Sequence, residues 1–238
     1  EPLWRIWGVL LGDFVVAVVF FTLWPEYAGD SLVPRLRRVL ANMLALAPSG
    51  SASSSEDQIL KTNSETMRVL SEFLEIADDA RMEGRTCAVY HKGIVEAAGA
   101  LRRISNLLSS IATARVLTQM PQLDPVTESA RERFFNAIRG QLVSWLDFYS
   151  GAESHSASAA RAVAEKHSAD ELAEPLNEFS SHLEEGGFAR LASWPLEPRR
   201  TMIAELQSMR RLEFLFSELN RYLADIPSPP RHASRIEG

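Results

Sequence analysis

The apolar residues of this chain follow two different patterns. Residues 6–23, IWGVLLGDFVVAVVFFTL, are apolar on every side and carry one charge, Asp13. From residue 35 onward, apolar residues instead recur every three or four positions with polar residues between them. The first pattern predicts a helix that meets no water, the second a set of helices with one buried face each. A run of about eighteen residues at 1.5 Å each reaches roughly 27 Å, close to the hydrocarbon thickness of a bilayer. Trp4 and Trp7 stand at one end of it, Trp24 and Tyr27 at the other. Aromatic residues in those places form the belt of a membrane-crossing helix. Pro25 ends the run, since it has no N–H and disfavours a helical residue before it. The alternative is a buried core helix, although such helices rarely run so long without a polar face.

Residues 1–28 are therefore expected to hold a transmembrane helix. In residues 29–55, Leu36, Val39, Leu40, Met43 and Leu44 recur at helical spacing. This amphipathic helix over 35–47 either lies at the membrane surface or packs into the helices C-terminal to it. PSGSASSS, 48–55, reads as a flexible linker.

A bundle is expected over 56–226. Ser55 and Gln58 have capping-box spacing and open a helix whose stripe is Met67, Leu70, Phe73, Leu74 and Ala77. A second helix carries Leu101, Ile104, Leu107, Leu108 and Ile111 and ends before Pro121. Asp124 as N-cap and Pro125 at the first position start a third, with Phe135, Ile138, Leu142, Trp145 and Tyr149 as its seam. Ser168 and Glu171 open another, which Pro175 should bend and Gly186-Gly187 should end. The last, over 199–224, buries Met202, Leu206, Met209, Leu212, Phe216, Leu219 and Leu223. Residues 157–164 offer only small side chains apart from Arg161, so a helix there packs closely or hardly at all. The window 86–90 is the least helical, and the prolines at 227, 229 and 230 mark a disordered tail over 227–238. The predicted class is all-α: one N-terminal transmembrane helix followed by a cytoplasmic helical bundle.

Composition narrows the function. With 238 residues, 46% hydrophobic, the chain can bury a sizeable core. A net charge of -6 argues against nucleic acid as a partner, because phosphates need concentrated Lys and Arg. The lone Cys87 excludes an internal disulfide and suits a reducing compartment. A signal peptide is a poor reading of the apolar run, which has no basic stretch before it and no small-residue cleavage site after it. Arg35, Arg37 and Arg38 follow the run and only Arg5 precedes it, which places the C-terminal side in the cytoplasm. Trp4, Arg5, Trp7, Trp24, Arg35, Arg37 and Arg38 thus form the expected membrane-interface set. Glu1 in place of Met suggests a segment of a longer protein, and the final Ile-Glu-Gly could be a protease tag or native.

Motifs for chemistry are missing: there is no GxxxxGK[ST] loop, no GxGxxG and no GxSxG. Cys87 and His91 are one helical turn apart, but no second pair completes a metal site. No catalytic residue, metal or cofactor is expected, and the chain does not read as an enzyme. Asp13, midway along the run, should face protein or water rather than lipid. It would serve either as a proton carrier in coupled transport or as a hydrogen-bonding partner of a neighbouring helix. Gly8 and Gly12 make a small-xxx-small face for close helix packing, although glycine is also simply frequent in membrane helices.

Arg5-x-x-Gly8-x-x-x-Gly12 and the run closing on Leu23-Trp24-Pro25 resemble a transmembrane segment of the fusaric acid resistance proteins. These are relatives of the aromatic acid exporters of Gram-negative inner membranes. The match covers about the first thirty residues; beyond them only the helical character agrees. The resemblance implies the last span and cytoplasmic domain of an inner-membrane exporter of aromatic or other weak organic acids, or drugs. Its implied partners are membrane lipid, the other transmembrane helices of the transporter, a periplasmic membrane-fusion adaptor and an outer-membrane channel. Assembly into a homo-oligomer stays open. The competing reading is a helical interaction or scaffold module held by a single membrane span, and what lies upstream of Glu1 distinguishes the two.

Overall fold

Helices account for every regular element in the computed structural model, which describes residues 7, 11–16, 31–49, 55–83, 85–118, 122–150, 157–167, 170–184, 189–224 and 226. Side chains are described for all of these except 80–91, 157, 170, 189 and 190. In chain order the helices are α1 (Leu32–Leu46), α2 (Glu56–Glu83), α3 (Arg85–Leu117), α4 (Pro125–Ser150), α5 (Ala157–Lys166), α6 (Asp170–Glu184), α7 (Ala189–Ala192) and α8 (Leu196–Ala224). No strand occurs among the described residues, and the window 86–90 is helical within α3. The protein is all-α.

Local chemistry sets the ends of these helices. The Gln58 N–H donates to Ser55 Oγ at 3.3 Å at the start of α2. At α4, the Thr127 N–H donates to Asp124 Oδ1 at 3.0 Å and its hydroxyl to Oδ2 at 2.7 Å, so both carboxylate oxygens cap the helix. Arg139 of α4 donates to the carbonyls of Leu44 and Ala47, placing a positive charge at the C-terminal end of α1. Helix α6 runs unbroken through Pro175.

The packing follows from the stripes. Helix α2 folds back on α3, α3 lies along α8, and α4 packs on α6. Helix α1 contacts α2, α3 and α4, while α5 lies against α8. Side-chain pairs give the directions. Arg35 and Arg38 reach Glu72 and Glu65, so α1 and α2 are antiparallel. Arg131 approaches Glu205 near the start of both α4 and α8, and Trp145 meets Asn220 near their ends, so those two are parallel. Leu70, Phe73, Leu108, Ile138, Leu142, Trp145, Leu212, Phe216 and Leu219, the core expected from the stripes, are all buried.

Helix α1 differs from the membrane-surface picture. Leu36, Val39, Leu40, Met43 and Leu46 are buried in the same core as the rest, so its apolar face is covered by helices α2, α3 and α4. The boundary drawn at residue 56 therefore cuts through a packed unit. Residues 50–54 of the Ser-rich stretch and the tail 227–238 lie outside the described residues.

Of the N-terminal apolar run, Trp7 and 11–16 are described; they are helical and exposed. Trp7 and Phe14 are each 66% exposed and Val16 65%, the opposite of the core stripes. Among the described residues no helix is long and apolar enough to cross a membrane. The rest of the run lies outside the described residues, as do Trp4, Arg5, Gly8 and Trp24.

Candidate functional site: a polar chain through the bundle

The seam of α4 contains Gln141, and the seam of α8 contains Asn220, one position after Leu219. Both are buried, 1% and 6% exposed. Buried amides must find partners, and these two find each other. The Trp145 indole N–H donates to Asn220 Oδ1 at 2.8 Å. Asn220 Nδ2 donates to Gln141 Oε1 at 3.1 Å, and Gln141 Nε2 to Glu171 Oε2 at 3.0 Å. An indole can only donate and a carboxylate only accept, so both amide orientations are fixed by the ends of the chain.

Glu171 also receives His167. Its Nδ1 lies 2.8 Å from the same Glu171 oxygen, which puts the hydrogen of the neutral ring on Nδ1 and leaves a lone pair on Nε2. That Nε2 is closed to bulk water and has no hydrogen-bond partner among the described residues. His167 sits just past the end of α5 and Glu171 in the first turn of α6, so the pair ties those two helices.

The imidazole lines an open cleft of about 290 Å³ between α5, α6 and α8. Ala164 and Leu172 form part of its wall, and Glu165, Glu213 and Arg221 bring charge to it. The Arg221 guanidinium is engaged within α8, 3.2 Å from the Tyr222 hydroxyl and 3.6 Å from Glu218.

A second polar cluster joins α3, α4 and α8 nearer the other end. Glu205, 4% exposed, receives the Arg115 guanidinium through Nε at 3.1 Å and through Nη2. Arg131 Nη1 lies 3.8 Å from the other Glu205 oxygen, while its Nη2 donates to both oxygens of Glu128 at 2.6 Å. The Arg115 guanidinium also covers the Phe135 ring at 4.5 Å. Every charge here meets an opposite one.

Chemically, the Glu171–His167 pair is an oriented base. No hydroxyl or thiol is hydrogen-bonded to its Nε2 among the described residues, and no group of three or more His, Cys, Asp or Glu there could hold a metal ion. Cys87 and His91 lie outside the described side chains.

The residues singled out from sequence lie elsewhere. Asp13 is exposed on the N-terminal helical segment, and Gly12 beside it has open space where a side chain would stand. Arg35 is 3.8 Å from Glu72 and Arg38 is 2.7 Å from Glu65. Hydrogen bonds from Arg68, the largest influence, hold the Glu65 carboxyl below its usual range. Arg37 is exposed. Of the polar chain, the stripes single out only Trp145. The available signal was a polar residue at a stripe position: Gln141 beside Leu142, Asn220 beside Leu219, and Glu205 one turn before Met209.

No family model, curated protein or solved structure matches this chain.

Proposed function

We propose that the chain is the C-terminal part, the last membrane span and the helical domain, of a bacterial inner-membrane exporter of aromatic or other weak organic acids. The observation that carries the membrane part is the exposure of Trp7, Leu11, Phe14, Val15 and Val16, all helical, in a chain whose bundle has its own apolar stripes covered. Apolar side chains grouped this densely are normally covered by lipid or by other helices. Gly12, with open space around it, offers a place for a neighbouring helix to approach. The link to weak-acid export rests on the resemblance of the first thirty residues to fusaric acid resistance proteins. The bundle acts by contact rather than catalysis, bracing the other spans or joining protomers. A membrane-fusion adaptor and an outer-membrane channel complete the pathway in this reading.

The test has two stages. Membranes from cells producing the full protein are washed with alkaline carbonate, and the protein should stay in the pellet. Its release into the wash overturns the membrane reading. Cells producing it should then accumulate less labelled benzoate than cells lacking it. Retention in the pellet without any change in benzoate level would replace the exporter with the single-span interaction module. Asp13→Asn, which keeps the shape but cannot titrate, separates a proton carrier from a structural residue in the same assay.

A further inference from the structure

The cleft at His167 has a floor, a wall and a charge balance that together select a ligand. Its floor is an imidazole, only 7% exposed, whose Nδ1–H is committed to Glu171, so Nε2 can only accept while the ring is neutral. A buried acceptor without a donor is costly to leave unmet, and it asks for an N–H or O–H. Its wall at Ala164 and Leu172 is apolar, which suits a short hydrocarbon stem. Its charge is net negative: Glu165 and Glu213 line it, Glu171 stands behind the imidazole, and the single cation, Arg221, is already engaged by Tyr222 and Glu218. A donor that is also a cation meets all three conditions.

We propose that the cleft between α5, α6 and α8 binds a small organic ammonium, which donates an N–H to Nε2 of His167 while Glu213 and Glu165 meet its charge. Because Nε2 is closed to bulk water, the donor reaches it with a side-chain adjustment of the kind common at binding sites. Occupation would tie α5 to α8 through the ligand and α5 to α6 through His167 and Glu171. The ligand also touches the end of the polar chain, since Gln141 and Asn220 line the same cleft. Trp145, whose indole N–H donates to Asn220, is therefore a reporter built into the site. This assignment stands apart from the transport reading, because it uses no residue of the N-terminal segment.

The experiment follows the Trp145 indole N–H resonance of the full chain in detergent micelles, assigned by Trp145→Phe. The probe is butylammonium, with butanol and butyrate as controls of equal length. The resonance should move saturably with butylammonium and stay in place with the other two. Glu213→Gln should weaken the response about tenfold, the loss expected for one charge-assisted hydrogen bond. His167→Gln should weaken it at least as much. No movement with butylammonium, or equal movement with butanol, overturns the proposal on the unmodified chain alone, whether or not the variants fold. An undiminished response in Glu213→Gln would overturn the assignment to this cleft.

Discussion

Helices α4 and α8 run parallel and are joined by polar groups at two levels, and the two joints are built on opposite principles. From Arg131 to Trp145 is about 21 Å along α4 at 1.5 Å per residue. At the first level the joint is ionic, with Glu205 held between Arg115 and Arg131. At the second it is neutral along α4 and α8, Trp145 to Asn220 to Gln141, and meets charge only at Glu171. The ionic joint is closed, because each guanidinium and carboxylate in it has a counterpart. The neutral joint is open, because it ends on an imidazole that lines a cleft and whose Nε2 has no hydrogen-bond partner among the described residues. A closed knot can fix the relative register of three helices but has nothing left to offer a ligand. The open chain fixes register as well and keeps one group in hand.

The largest expected effect comes from the open joint. Trp145 is fully buried, and Trp145→Ala should cost about 3–5 kcal/mol, from the cavity and from the acceptor it strands on Asn220. Trp145→Phe separates those two causes. It keeps an aromatic ring in place, leaves a much smaller cavity and removes the donor, so it should cost about 1–3 kcal/mol. Unfolding in urea measures both. If Trp145→Phe matched the unmodified chain, the hydrogen-bond chain would contribute nothing to stability, and the two joints would no longer be comparable.

The closed joint should respond more to which partners remain than to their number. Glu205→Gln leaves two guanidiniums facing a neutral amide. The cost should be about 3 kcal/mol, the low end for a broken buried pair, because the Arg115 side chain keeps 24% exposure to water. Replacing Glu205, Arg115 and Arg131 together with leucine or methionine should cost less than the single change, since the one carboxylate that loses its arginine, Glu128, is 35% exposed to water. Urea unfolding of the two variants gives the order directly. A triple variant less stable than Glu205→Gln would mean that the cluster stabilises by net attraction and not only by mutual compensation.

Much of the architecture was readable from spacing, because a helix that buries one face writes that face into the sequence every three or four residues. The stripes through Phe73, Leu108, Trp145 and Phe216 led to the observed core, and Asp124 with Pro125 marked the start of α4 to the residue. Helix α1 was harder. Its stripe is equally consistent with lipid or protein on the apolar side, and only the packing of Leu36, Val39 and Met43 decides between them. Helix α7, four residues long, is too short to show a period. The polar chain was illegible for a different reason. Gln141 and Asn220 stand at stripe spacing, but a polar side chain there reads as a break in the stripe, and their value lies in a contact across 79 positions of sequence. His167 likewise acquires its meaning only from Glu171 and from the cleft it lines. Side-chain partnerships across helices leave no periodic trace.

The smallest expected effect concerns Tyr149, which closes the open joint toward the ends of both helices. Its ring stacks on Trp145 with centroids 5.9 Å apart, and its hydroxyl donates to the Leu223 carbonyl at 3.4 Å. That bond is long, so Tyr149→Phe should cost no more than about 1 kcal/mol at neutral pH. Alkaline pH magnifies the difference. Burial pushes the Tyr149 phenol well above the ordinary tyrosine range, because its anion would have no water around it. An unfolded chain releases that proton near pH 10, roughly the value for free tyrosine. Above that pH the unfolded state holds fewer protons than the folded one, so stability falls as pH rises. The stabilising difference is thus fully present below about pH 10 and declines above it by up to about 1.4 kcal/mol per pH unit. Tyr149→Phe removes this contribution, so its stability should fall less steeply than that of the unmodified chain over the same range. Unfolding free energies at a series of alkaline pH values compare the two slopes. Equal slopes would mean that the phenol reaches water in the folded protein, and that the open joint is wet at its closed end.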